Sequence, residues 1–297
     1  MRHIVLLATL AILSAASAGC RLPGRDGPVP ASLAACRQYS QQGVVALERG
    51  QREKAEELLA KAVKACPVDP EARRHYAEAL WQRGDRAGAV AQLEQAVRQS
   101  GDDATLHVRL AEMHLTMSRP DAARQSADQA VQRNPRLAAA WMVRGQALRA
   151  AGETQAALDD SLRALRYAPD DRRILLEVAE LQRQLNQPER ALQTLQQLAD
   201  TYAPGEESQQ VLHLTGMAYM ALGRYDEAVE SLSAAAARET ATAELCCRLG
   251  EAQRLAGHPA EATVSAQRAL ALDPKHQPSL ELLGRIETAQ RSTQPNR

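Results

Sequence analysis

Phenylalanine is absent from this chain, and aromatic residues of all kinds make up 3% of its 297 residues. A core without large rings must be packed by small side chains. Each Å² of apolar surface left in water forgoes about 25 cal/mol, so such a core depends on close backbone approach. Net charge is absent too, because 36 Lys and Arg balance 36 Asp and Glu. Proteins that bind nucleic acid draw much of their affinity from a basic face that neutralises phosphates, so no nucleic-acid partner is expected. After Ala18 no apolar run approaches the roughly 20 residues that a transmembrane helix needs.

The chemistry-bearing motifs are missing as well. There is no His-Glu-x-x-His, no glycine-rich phosphate loop and no Cys-x-x-Cys. His107 and His114 stand one heptad apart, about 10.5 Å along a helix, which is too far to share one metal ion. Asp102-Asp103 and Asp170-Asp171 precede predicted helices, where a carboxylate caps free backbone N–H groups. No cofactor, metal or small-molecule substrate is therefore expected, and the chain is read as a non-enzyme.

What is present is a unit of 34 residues that recurs between Cys36 and His276. One column is alanine in every copy: Ala55, Ala89, Ala123, Ala157, Ala191, Ala228 and Ala262. Twelve residues earlier stands Gly43, Ala77, Ala111, Gly145, Ala179, Gly216 or Gly250. A turn residue follows at Gly50, Gly84, Ser118, Gly152, Asn186, Gly223 and Gly257, and several units end in proline (Pro67, Pro135, Pro169, Pro274). Each copy reads as helix, tight turn, helix, stop, and a fixed period of this length marks stacked helical repeats. The units are 36–69, 70–103, 104–137, 138–171, 172–205, 209–242 and 243–276. Three extra residues before the sixth predict a longer connection there. Residues 277–290 repeat the first-helix pattern once more and read as a cap helix, and 291–297 as a disordered tail.

The start of the chain follows other rules. Arg2 and His3 precede an apolar run, Ile4 to Ala18, that ends in small residues, the design of a secretory signal over 1–19. Two cleavage readings stand open. Ala16-Ser17-Ala18 suits ordinary signal peptidase, whereas Ser17-Ala18-Gly19-Cys20 looks like a bacterial lipobox in which Cys20 carries the lipid. Residues 20–35, with three prolines and two glycines, read as a flexible tether. The expected setting is the bacterial cell envelope, with the protein lipid-anchored to a membrane and its solenoid in the periplasm or at the outer membrane. Cys36 and Cys66 flank the first unit at ends that antiparallel helices bring together, so they form a candidate disulfide, which an oxidising compartment permits. Gln42, Arg73 and Arg144 stand at first-helix positions where a large apolar residue is expected, and softness is predicted around the first and fourth units.

The repeat resembles the tetratricopeptide repeat. The sixth unit matches best, through Gly216, Tyr219, Gly223, Tyr225, Asp226, Glu227 and Ala228. The resemblance implies an all-α, right-handed solenoid of seven helical hairpins with a C-terminal cap helix. It also implies that first helices line a concave face on which a protein or extended peptide binds. On that basis the candidate partner-binding residues are Trp81, Val108, Leu115, Met142, Leu176, Met217 and Met220. The same side chains could instead complete contacts between neighbouring repeats. The family's settings imply envelope assembly, secretion or polysaccharide export. An accessory subunit of an envelope enzyme complex, without catalytic residues of its own, is the alternative.

Overall fold

The computed structural model describes residues 31–101, 103–238 and 240–293. Among them the chain forms fifteen α-helices and no strand. The first hairpin is α1 (Ala31–Glu48) with α2 (Arg52–Ala65), followed by α3 (Pro70–Arg83) with α4 (Arg86–Ser100). Then come α5 (Ala104–Thr116) with α6 (Pro120–Arg133), and α7 (Ala138–Ala150) with α8 (Thr154–Tyr167). Next are α9 (Arg172–Gln184) with α10 (Pro188–Ala199), and α11 (Gln209–Ala221) with α12 (Tyr225–Arg238). The last hairpin is α13 (Ala243–Leu255) with α14 (Pro259–Leu272), and α15 (Gln277–Thr293) ends the stack.

Helix ends fall where the sequence places caps and breakers. Asp69, Asp103 and Asp171 each accept a backbone N–H at the start of α3, α5 and α9, and Ser208 and Thr242 do so for α11 and α13. Such a cap stabilises a helix by about 1 kcal/mol. The mid-unit turn residues all adopt positive φ, from 54° at Asn186 to 97° at Gly84. Ser118 does so at 56° with a Cβ, and a left-handed L-residue costs about 1–2 kcal/mol. Ser118→Gly should therefore raise stability by about 0.5–1 kcal/mol once glycine's own entropy is deducted. Thermal unfolding of the variant checks this, and an unchanged or lower midpoint would contradict it.

Packing runs along the stack rather than into one centre. The alanine column is buried throughout, at 1% exposure for Ala191 and 0% for the other six. It lets the two helices of a hairpin close on each other, and Gly216 shows how near they come. A Cβ built on Gly216 would lie 2.6 Å from Leu232 Cγ. Leucine and methionine fill what rings would fill elsewhere: Leu80, Leu93, Leu106 and Met113 form one cluster shared by the second and third hairpins. Leu175, Leu195, Leu198 and Val211 form another across the fifth and sixth. Each hairpin thus depends on its neighbours, as in a one-dimensional array.

Several boundaries differ from the sequence reading. Helix α1 begins at Ala31, so residues 31–35 are helical and do not belong to the tether. Ala-Ser-Leu-Ala-Ala lacks proline and continues the helix back from Cys36, which places Cys36 inside the helix rather than at its start. Helix α15 runs to Thr293, past the expected end of the cap at 290. The connection from α10 to α11 spans residues 200–208, longer than the four-residue link between α8 and α9. The signal segment, Cys20 and the remainder of the tether lie outside the described residues.

Candidate functional site

First helices of neighbouring hairpins touch each other, α1 with α3, α5 with α7, α9 with α11, α11 with α13 and α13 with α15. Second helices make no comparable contact among the described residues. The first-helix side is therefore the shorter edge of the stack, and the array curves towards it. That inner face carries a series of ion pairs. Arg109 donates from Nη2 to Glu78 at 2.8 Å, linking α5 to α3, and from Nη1 to Glu112 at 3.0 Å. Arg149 Nε stands 3.1 Å from Glu177 Oε1, linking α7 to α9. Its approach is not aligned for a hydrogen bond, and that oxygen has no hydrogen-bond partner. Burial raises the pKa of Glu177, and Arg149 opposes the shift. Arg183 pairs with Glu180 at 2.8 Å, and Arg254 with Glu251 at the same distance. Arg285 of α15 reaches Glu251 at 3.2 Å.

The sixth hairpin breaks the pattern, as does the first with Val44 and Leu47. Where α9 and α13 carry the Glu–Arg couple, α11 between them presents Met217 and Met220 at the equivalent positions. Met220 packs partly against the cluster of the last two hairpins, whereas Met217 is half-buried and joins none of the core clusters. His213 lies one turn before Met217, with Nε2 buried and without a hydrogen-bond partner. Burial lowers its pKa, and Arg248 adds to the effect. The result is an apolar window framed by two internally neutralised ion pairs.

The other candidate residues are placed unevenly. Val108 is 7% exposed and packs with Ala111, Ala123 and Ala127, so it belongs to the core and offers no surface. Trp81 is half-buried against the Leu80–Leu110 cluster, with the Arg86 and Arg109 guanidinium carbons 5.8 and 5.9 Å from its ring centre. Leu115, Met142 and Leu176 are half-buried and pack against the clusters beneath them. For these, contact between repeats accounts for much of the side chain. Cys36 and Cys66 pack in one small cluster with Ala62 and Ala72. They stand as free thiols, Cys36 Sγ 3.6 Å from Asp69 Oδ2 and Cys66 Sγ 3.8 Å from the Ser32 carbonyl oxygen. Burial first, then the Cys66 thiol and Asp69, push the Cys36 pKa up to about 12. The expected bond is thus not formed in this structure.

One constellation escaped the sequence reading. Arg144 donates to Asp160 from Nε at 2.6 Å and from Nη2 at 2.9 Å, and to Asp128 from Nη1 at 3.1 Å. Its guanidinium carbon sits 4.6 Å from the Trp141 ring centre, and that of Arg163 sits at 4.9 Å. The fourth hairpin is therefore held by a polar lock where softness was expected. The available signal was the equal spacing of Asp128, Arg144 and Asp160, sixteen residues apart on each side.

A curved stack of helical hairpins with a lined inner face defines a helical-repeat interaction scaffold. The chain belongs to the tetratricopeptide repeat (TPR) family: that family's profile matches residues 40–105, 77–135, 108–165 and 213–277, and a second TPR profile matches 174–203. Solved structures agree on the fold. A tetratricopeptide repeat protein from Parabacteroides merdae aligns with a TM-score of 0.61 at 15% identity, over 86% of this chain and 99% of that one. PilF of Pseudomonas aeruginosa gives 0.55 at 16% identity, over 86% and 99%. YrrB, described as a TPR protein with an unusual peptide-binding site, gives 0.56 at 19% identity, over 64% and 96%. A search of curated proteins finds no match. Proteins of this family bind protein or peptide partners and generally serve as non-catalytic scaffolds.

Proposed function

We propose that this protein is a lipid-tethered scaffold of the bacterial cell envelope that holds an extended peptide or protein segment on its inner face. The observation that carries the reading is the Met217–Met220 window. Methionine side chains repack around varied partners, and the flanking Glu180–Arg183 and Glu251–Arg254 couples satisfy their own charges. Such a window favours an uncharged apolar anchor over a charged terminus. YrrB, described as having an unusual peptide-binding site, shares the fold, which supports a peptide as the ligand. The setting rests on the signal-like start and on Cys20, whose lipid would fix the stack to a membrane. Envelope assembly, secretion and polysaccharide export are the processes proposed, and service as a subunit of an envelope enzyme complex is the second reading.

The test is capture of partners from native envelope extract by the purified protein, beside Met217→Ala, Met220→Ala and the double variant. Each single change should weaken binding of the captured partner by about tenfold, the scale of a true anchor at 1–2 kcal/mol. Melting should change little for Met217→Ala, because Met217 joins none of the core clusters, and fall modestly where Met220, packed partly against one, is truncated. Full binding by a folded double variant would contradict the inner-face reading. Membrane association should be lost in Cys20→Ser, and equal association without acyl mass on the mature chain would contradict the tether.

A further inference from the structure

Arginine recurs along the inner face, and one copy lacks a well-aligned acceptor. Arg109, Arg183 and Arg254 each donate at least two hydrogen bonds to glutamates. Arg149 stands on α7 at the position that Arg183 and Arg254 hold on α9 and α13. It is 39% exposed and, among the described residues, donates no aligned hydrogen bond. The cause is in the sequence. Arg183 and Arg254 follow Glu180 and Glu251 by three residues, within reach on the same helix. At that place α7 carries Gln146. The arginine is kept while its local carboxylate is replaced by an amide.

Glu177 of α9 does not make up for the missing partner. Its Oε1 lies 3.1 Å from Arg149 Nε without alignment, and its side chain is 10% exposed. Burial raises its pKa, so it takes up a proton more readily than an ordinary glutamate. Glu180 is already held by Arg183 and by Gln184 Nε2 at 3.2 Å. Beside Arg149 opens a pocket of about 480 Å³ lined by Leu115, Gln146, Arg149, Ala150 and Gln184. Of these five side chains Arg149 alone is charged.

We infer that Arg149 anchors an acidic side chain, Asp or Glu, of the peptide that occupies the inner face. The inference rests on the peptide reading above and adds a second contact to the apolar anchor at Met217 and Met220. A guanidinium engages a carboxylate through two parallel hydrogen bonds, and an incoming carboxylate completes on α7 the couple that α9 and α13 build internally. Gln146 makes no side-chain hydrogen bond among the described residues, so its amide is available to the peptide main chain. A basic side chain would be repelled by Arg149, and Glu177 Oε1 is too deeply buried to receive it. The spacing follows from the stack. From α7 to α11 there are two first-helix steps of about 8–10 Å each. An extended chain rising about 3.3 Å per residue therefore places the acid about five or six residues from the residue seated at the methionines.

The test exposes labelled full-length protein to an immobilised library of random dodecapeptides, acetylated and amidated so that no terminal charge contributes. Retained peptides should carry Asp or Glu about five or six residues from Leu, Ile or Met. Remade with the amide in place of its acid, such a peptide should bind at least about tenfold more weakly. Arg149→Gln should produce the same loss for the acidic peptide. Combined with Glu177→Gln, which leaves no buried acid unpaired, it should still show that loss and melt like the parent. Glu177→Gln alone should bind the acidic peptide more tightly, because no carboxylate of the protein competes for Arg149. The Met217→Ala and Met220→Ala double variant should bind more weakly yet keep the preference for the acid. Lys or Arg at that place, no acidic preference, or undiminished binding by Arg149→Gln would overturn the anchor and leave the peptide reading intact. So would peptides retained only from a second library with free C-terminal carboxylates. Absence of any retained peptide would contradict the peptide reading and the anchor with it.

Discussion

Asp160→Ala should cost about 2–4 kcal/mol, the largest effect expected of any single change outside the alanine columns. Its side chain is 5% exposed and holds Arg144, itself 20% exposed, through two hydrogen bonds. Removing one partner of a buried pair leaves the other charge uncompensated, at roughly 3–5 kcal/mol. Asp128 still reaches Arg144 from the third hairpin but is 40% exposed, so it offsets only part of the loss. The damage should be local, with hydrogen exchange accelerating in α7 and α8 before α3 and α4. Replacing Arg144 and Asp160 together by leucine should cost far less, since no charge is stranded. Asp160→Ala within about 0.5 kcal/mol of the parent, the range of ordinary surface changes, would contradict the lock.

Oxidation of Cys36 and Cys66 should stabilise the first hairpin by about 2–4 kcal/mol, the usual gain from closing a loop of this length. The two thiols share a cluster, and among the described residues no repeat precedes α1, where Gln41 and Gln42 are exposed. With its pKa near 12, Cys36 is a poor first nucleophile. Half-buried Cys66 should therefore attack the oxidant, a disulfide-bearing oxidoreductase. The mixed disulfide is then resolved by Cys36, so the two thiols lose two electrons and two protons and the oxidant leaves as a dithiol. Peptide mass analysis of the protein after treatment with the oxidant, with exchange rates in α1 and α2 before and after reduction, reads both the bond and its effect. Free thiols at both positions after that treatment, or unchanged exchange on reduction, would contradict it.

Periodicity made the architecture legible because each hairpin repeats one packing solution. The alanine at Ala55 and its six equivalents, and the turn residue at Gly50 and its equivalents, mark helix contact and left-handed turn by residue type alone. Ser118 and Asn186 kept their place in that column, and both adopt positive φ. The site was less legible. A position on the inner face says where a Cβ points, but not whether the next repeat covers the side chain, so Val108 and Met217 looked alike. Val108 is buried among alanines, and Met217 is not. Arg144 looked like a packing fault because its partners lie on two other helices, and only the fold brings Asp128 and Asp160 to it. The start of α1 was missed for a local reason: the prolines of the tether end at Pro30, and the residues after it favour helix.

The inner face as the partner site is the central claim, and hydrogen exchange of the protein with and without its captured partner tests it most directly. Protection should rise in α9, α11 and α13, strongest around Met217 and Met220, while α10, α12 and α14 stay unchanged. Protection confined to those second helices, with α11 exchanging as in the free protein, would contradict it.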